Sequence, residues 1–175
     1  YRLIHNDTFP SWGFSIRHGA TSIWERWDGW TPEEGFQNPG MNSFAHYSFG
    51  AVYQWMVENI GGIRSEAPAY REILIKPQPG GRLRWAKVGY ESIQGPIRSC
   101  WEMADDTFLL NVTVPPNTTA TIHVPTEDAS GITESGRPID ALHSVEFVCE
   151  EEGTAVYEVG SGKYRFASPY SGSTE

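Results

Sequence analysis

The chain has 175 residues, with 39% hydrophobic and 20% charged side chains, a balance that allows a real buried core in one domain or two small ones. Its formal net charge of −9 argues against a nucleic-acid or anionic-membrane partner, both of which need clustered Lys and Arg. No run approaches the about 20 apolar residues that span a bilayer, and YRLIHNDTFPSWGF at the start lacks the basic-then-apolar order of a signal peptide. Starting at Tyr1 and entering structured-looking sequence at once, the chain reads as a piece of something longer. Cys100 and Cys149 sit in unrelated contexts and read as two separate half-buried thiols, with a disulfide as the alternative. Three Asn-x-Thr triplets, at Asn6, Asn111 and Asn117, match the glycosylation pattern, which is weak evidence without a secretory context.

In chain order, a short helix is predicted after Pro10, running towards Gly19 with His18 near its negative end. Residues 29–40, GWTPEEGFQNPG, are too broken by Gly and Pro for any period and read as a loop. Phe44, Tyr47, Ala51, Val52, Trp55, Met56 and Ile60 then recur at spacings of three and four, which predicts a helix over 43–60 capped by Asn42 or Ser43. Gly61-Gly62 ends it by allowing a left-handed turn. Beyond it the pattern is that of strands: EILIKP, LRWAKVGYES, IRSCWEM, FLLNVTVP, TATIHVP, VEFVCEE and TAVYEVGSGKYRF are short runs rich in Val, Ile, Thr and aromatics. Leu110, Val112 and Val114 alternate with Asn111 and Thr113, so one face of that strand is expected to be buried. Around seven such runs predict an antiparallel β-sandwich, with 127–140 as a connection. Trp55, Trp85 and Trp101 are expected in the core, and Glu146, Glu150, Glu151 and Glu152 on a solvated edge.

The densest chemistry lies in ATSIWERWDGW, residues 20–30, where Glu25 sits between Trp24 and Trp27. Indole faces stack on sugar carbons while a carboxylate binds or activates hydroxyls and water, so the combination suits a saccharide cleft, with at least one of Trp24, Trp27 and Trp30 facing solvent. Arg26 next to Glu25 could hold that carboxylate ionised, although a structural Glu–Arg pair on a loop explains the same spacing. His46 is placed to donate to a sugar hydroxyl or orient a carboxylate, against the plainer reading of a satisfied half-buried histidine. His5, His18, His123 and His143 are scattered without metal-ligand spacing, so neither a metal nor another cofactor is expected.

Long motifs then carry a resemblance. FPSWGF, GATSIWERWDGW and MNSFAHYSFGAVYQWM resemble the end of the catalytic domain of bacterial alpha-L-rhamnosidases, inverting glycoside hydrolases. AYREILIKPQPGG at 69–81, YESIQGPIRSCWE and VTVPPNTTATIHVP continue the resemblance into that family's C-terminal β-sandwich. The resemblance implies an α+β chain: residues 1–66 as the last helices of an (α/α)6 barrel, and 67–175 as an antiparallel β-sandwich. It further implies that Glu25 is the general base and that His46 contacts the rhamnose, beside Trp24 and Trp27. The family's general acid lies upstream of the matched segment, so the isolated chain is expected to be inactive. Expected partners are rhamnose-containing carbohydrate, the remainder of the catalytic domain and, through exposed barrel-facing aromatics, a second copy in a homodimer. Two rival readings use the same residues: a non-catalytic carbohydrate-binding module with the tryptophans as platform, or a structural sandwich with a helical appendage.

Overall fold

The computed structural model describes residues 1–38, 40 and 43–172, and the chain divides into two compact units, Tyr1–Gln54 and Trp55–Glu175. In the first unit, α1 (Arg2–His5) is followed by α2 (Trp12–Arg17), whose start is closed by the Ser11 hydroxyl accepting from the Phe14 N–H at 2.9 Å. His18 caps its C-terminal end, where the sequence pattern puts it. Within the predicted loop, β1 (Trp30–Thr31) and β2 (Gly35–Phe36) close a minimal hairpin, with Trp30 opposite Phe36.

The helix predicted over 43–60 is shorter and broken. A 3₁₀ turn opens at Ser48–Ala51, α3 covers Val52–Trp55, and a π-helical turn spans Met56–Ile60, sealed by the Gly61 N–H donating to the Met56 carbonyl. Asn42, one of the two expected caps, lies outside the described residues. Ser43, the other, closes only a local turn, its hydroxyl accepting from the Ala45 N–H at 3.2 Å, while its carbonyl accepts from the Glu25 N–H and the His46 N–H donates to the Ile23 carbonyl, both at 2.8 Å. The carbonyls of Ser43 and Phe44, which a first helical turn would use as acceptors, are therefore spent on the 22–25 segment. Of the expected stripe only Ile60 is buried; Trp55 is half-buried and Tyr47 is 86% exposed.

The second unit is a two-sheet sandwich. Its strands are β3 (Ile63–Ser65), β4 (Glu72–Ile75), β5 (Trp85–Ser92), β6 (Gly95–Ala104), β7 (Thr107–Val114), β8 (Thr119–Pro125), β9 (Thr133–Glu134), β10 (Arg137–Pro138), β11 (Val145–Glu151), β12 (Thr154–Val159) and β13 (Gly162–Pro169). One sheet runs β11-β12-β8-β4-β3 and the other β10-β9-β13-β7-β6-β5. The long run at 154–166 splits into two strands at Gly160-Ser161, and β9 and β10 occupy the predicted connection. Pairing is antiparallel except between β4 and β8, where Glu72–Ile75 run parallel to Thr119–Ile122. These two strands are separated by β5, β6 and β7 of the other sheet, so no tight turn forces them antiparallel.

Period-two alternation builds the core. Leu110, Val112 and Val114 point inwards from β7 while Asn111 faces solvent. Phe166 from one sheet stacks on Tyr157 from the other, ring centroids 5.6 Å apart. Trp101 is buried as expected, and its indole N–H donates to the Ile60 carbonyl at 2.7 Å, which removes the cost of a buried unpaired donor. Trp85 departs from expectation at 60% exposure: β5 is an edge strand, and its inward positions opposite Trp101 and Ser99 are taken by Ala86 and Val88. Glu146, Glu150, Glu151 and Glu152 are exposed along or just beyond the opposite edge strand β11, and Cys100 and Cys149 are free, half-buried thiols.

Gly62 joins the π turn to β3 at φ +74°, and a Cβ there would lie 2.2 Å from the Lys76 carbonyl carbon and the Pro77 nitrogen. Gly62→Ala therefore has to adopt a left-handed conformation and also push a neighbouring backbone away. It is expected to lower the unfolding free energy of the sandwich by at least about 2 kcal/mol, read from urea denaturation. His123, buried on β8, lies 3.2 Å from the Thr154 hydroxyl through Nδ1. Burial first, and Lys76 second, push its pKa below the ordinary 6.5, with Glu151 and Glu152 opposing. The unfolded chain thus binds the proton more readily, so this contribution to stability is complete above about pH 6.5 and is lost as pH falls below it. Wild type is expected to lose more stability between pH 7.5 and 5.5 than His123→Asn; parallel pH profiles for the two proteins would remove His123 as the cause.

Candidate functional site

The candidate site lies within residues 1–54 and is held together by two segments lying side by side. The Glu25 N–H donates to the Ser43 carbonyl at 2.8 Å, and the Ser43 N–H donates back to Glu25 Oε2 at 2.9 Å. Further along the pair, the His46 N–H binds the Ile23 carbonyl at 2.8 Å, and the Ser22 hydroxyl donates to the Phe44 carbonyl. The pairing brings the two residues singled out from the sequence, Glu25 and His46, onto adjacent stretches of backbone. Both side chains are half-buried.

The surroundings of Glu25 differ from the expected arrangement in one respect. The Arg26 guanidinium does not serve it: Nε and Nη2 each donate to an Asp28 carboxylate oxygen at 2.9 Å, a bidentate clamp between neighbours two apart. The partner that positions Glu25 is instead a backbone N–H from eighteen residues further on. His46 Nε2 lies 3.1 Å from the Ser48 hydroxyl, and its ring stacks on Tyr47 with centroids 5.4 Å apart.

An aromatic cluster is built on the tryptophans of the WERW segment. Trp27 stacks flat on Phe49, centroids 3.9 Å apart at 9°, and meets Trp12 edge-on at 5.2 Å. The Trp12 indole N–H donates to the Phe49 carbonyl at 3.1 Å, tying α2 to the turn that opens the helical run. Trp24 is 8% exposed, edge-on to Phe44, which in turn meets Phe36 edge-on. Trp30 is half-buried and tilts against His18. Trp12, Ile16, Ile23, Trp24, Trp27 and Phe49 line a cavity of about 290 Å³ that is mostly apolar. Glu25 and His46 are not among its walls. The spacing of ATSIWERWDGW could single out Trp24, Glu25 and Trp27, but Phe49, Trp12 and the Ser43 amide are partners supplied by other segments. Trp12 stands in FPSWGF and Ser43 in NSFAH, stretches whose local pattern speaks only of a helix start. Among the described residues no group of three or more His, Cys, Asp or Glu side chains is placed to hold a metal ion.

Comparison with known proteins covers both units. Residues 1–60 match the bacterial alpha-L-rhamnosidase 6 hairpin glycosidase domain, and residues 62–137 match the bacterial alpha-L-rhamnosidase C-terminal domain. The chain is 44% identical to an alpha-L-rhamnosidase of Streptomyces avermitilis over 166 residues, 95% of this chain and 15% of that protein. It is 37% identical to an alpha-L-rhamnosidase of Formosa agariphila, over 98% of this chain and 18% of that protein. Among solved structures, the Streptomyces avermitilis alpha-L-rhamnosidase complexed with L-rhamnose superposes with a TM-score of 0.87 at 43% identity, covering 95% of this chain and 16% of that one. The alpha-L-rhamnosidase of Dictyoglumus thermophilum follows with a TM-score of 0.80 at 32% identity, again over 95% of this chain and 18% of that one. The chain thus spans less than a fifth of the length of these relatives. Its glycosidase-domain and C-terminal-domain sequences, joined in the same order and folded alike, make the chain a member of the bacterial alpha-L-rhamnosidase family.

Proposed function

We propose that this chain is the C-terminal part of an inverting alpha-L-rhamnosidase that hydrolyses terminal alpha-L-rhamnosides, with Glu25 as its general base. The observation that carries the reading is the Ser43 N–H bound to Glu25 Oε2 at 2.9 Å. A half-buried carboxylate held by a backbone amide keeps one orientation, which a base needs if it is to receive a proton from one particular water. In the proposed reaction the water oxygen attacks the anomeric carbon from the face opposite the aglycone and gives its proton to Glu25. A second carboxyl group protonates the departing glycosidic oxygen. Inversion requires the two groups roughly 6.5–9.5 Å apart, leaving room for the water. In this reading the second group comes from the larger part of the enzyme that the chain does not span, and residues 1–66 supply the closing helices of an (α/α)6 barrel. His46 contacts a sugar hydroxyl, while Trp24 and Trp27 present apolar surface to the 6-deoxy sugar and its methyl group.

One observation favours the non-catalytic alternative, a carbohydrate-binding module: the aromatic cavity is walled by Trp24 and Trp27 and not by Glu25. The two readings separate in the full-length enzyme with an aryl alpha-L-rhamnoside as substrate. Glu25→Gln is expected to lower kcat by about 10³-fold with little change in KM, within the range that a general base contributes. Unchanged turnover would take Glu25 out of the mechanism and favour the binding module. The 175-residue chain alone is expected to release no rhamnose, since only one member of the acid–base pair is present; measurable release would overturn the two-part site. A structural control accompanies the kinetics. Hydrogen exchange at the Ser43 amide is expected to stay slow in Glu25→Gln, whose amide oxygen still accepts, and to accelerate in Glu25→Ala, about tenfold or more for a hydrogen bond to a charged group.

A further inference from the structure

The outer face of the six-stranded sheet departs from the charge balance of the rest of the chain. The register places Lys87, Cys100, Asn111 and Arg165 in one row across β5, β6, β7 and β13, and Gly89, Arg98, Thr113 and Lys163 in the next. Trp85 and Glu102 head the adjoining row. Their alternating neighbours Ala86, Trp101, Leu110, Val112, Tyr164 and Phe166 are buried, so these rows point away from the core. Although acidic side chains outnumber basic ones 22 to 13, Lys87, Lys163 and Arg165 gather here, and among the described residues none of the three is in an ion pair. Arg98 is paired with Glu91 and lies flat across Gly89, where an added Cβ would come within 2.8 Å of Nη1. Glycine at 89 leaves the room that the Arg98 side chain fills.

The exposed indole completes the set. Trp85 is among the few large apolar side chains left open on this unit, and Lys87 Nζ sits 5.8 Å from its ring centroid, which restrains the ring against the sheet. From Lys87 to Arg165 the face measures three strand spacings, about 14 Å, enough for a short oligosaccharide. We propose that this face binds an acidic, uronate-bearing oligosaccharide, with the Trp85 indole stacked on a sugar ring and Lys87, Lys163 and Arg165 meeting its carboxylates. Asn111 and Glu102 supply hydroxyl acceptors. Hydroxyl acceptors beside the stacking ring suit a polyol, and a phosphodiester chain has few hydroxyls to offer them. The face shares no residue with the Glu25 site, so either reading stands or falls without the other.

Isothermal titration of the full-length enzyme at low salt with tetragalacturonate, and in parallel with the neutral maltotetraose, tests the proposal. Expected are saturable binding of the acidic tetramer only, a Kd that rises with salt, and at least a tenfold loss in both Trp85→Ala and the double variant Lys163→Ala/Arg165→Ala. All three side chains are exposed, so unchanged thermal midpoints verify that the variants are folded. No saturable binding of tetragalacturonate, equal binding of maltotetraose, or an unchanged Kd in either folded variant would overturn it.

Discussion

Ser43 commits both of its backbone groups to Glu25, and much of the first unit is shaped by that exchange. The Ser43 carbonyl, already bound to an N–H eighteen residues earlier, and the Phe44 carbonyl, bound to the Ser22 hydroxyl, are not free to begin a helix. The helical run accordingly starts only at Ser48, past His46, whose N–H is committed to Ile23. The same exchange orients a carboxylate that would otherwise swing on a flexible side chain. Backbone pairing of this kind is a firmer support for a carboxylate than a mobile cation, and Arg26 is occupied with Asp28 in any case. The aromatic stack of Trp12, Trp27 and Phe49 packs α2, the WERW segment and the turn at Ser48 against one another.

In the second unit the corresponding constraint is the parity of the strands. Every other residue of β6, β7 and β13 is drawn into the core, which leaves the intervening ones facing out in register. One alternation thus produces both a dry interior, where Trp101 needs and finds a carbonyl for its indole N–H, and a polar outer face on which distant basic residues are brought into neighbouring rows. The exposed acidic residues of β11 protect one sheet's edge, and Lys76 meets two glutamates at the end of that strand, Glu151 at 3.7 Å and Glu152 at 3.1 Å. Family membership agrees with this division of labour, since separate domain models match residues 1–60 and 62–137.

Local periodicity made most of the sandwich legible. The runs around Leu110, Ile122, Tyr157 and Phe166 carry their strand character in side chains that the pleat can bury on one side, and the structure has strands at all of them. Where apolar residues occur at both parities, as Trp85, Val88 and Tyr90 do in β5, the inward face is undecided until a partner strand sets the register; opposite Glu102, Trp85 faces out. The three-and-four spacing over 43–60 misled for a related reason. It records which side chains could share a helical face, and it carries no information about what competes for the backbone.

The sandwich, the glycine stop at Gly62 and the separation of the two cysteines were legible in the sequence. These depend on side-chain type and short-range spacing, which a linear chain displays in full. Tertiary structure alone decided that Ser43 rather than Arg26 holds Glu25, that Phe49 lies beneath Trp27, that β4 runs parallel to β8, and that Lys87 and Arg165 share a row. Each of those joins residues far apart in sequence, and which distant groups meet is settled by the packing that satisfies the most backbone and buries the most apolar surface at once.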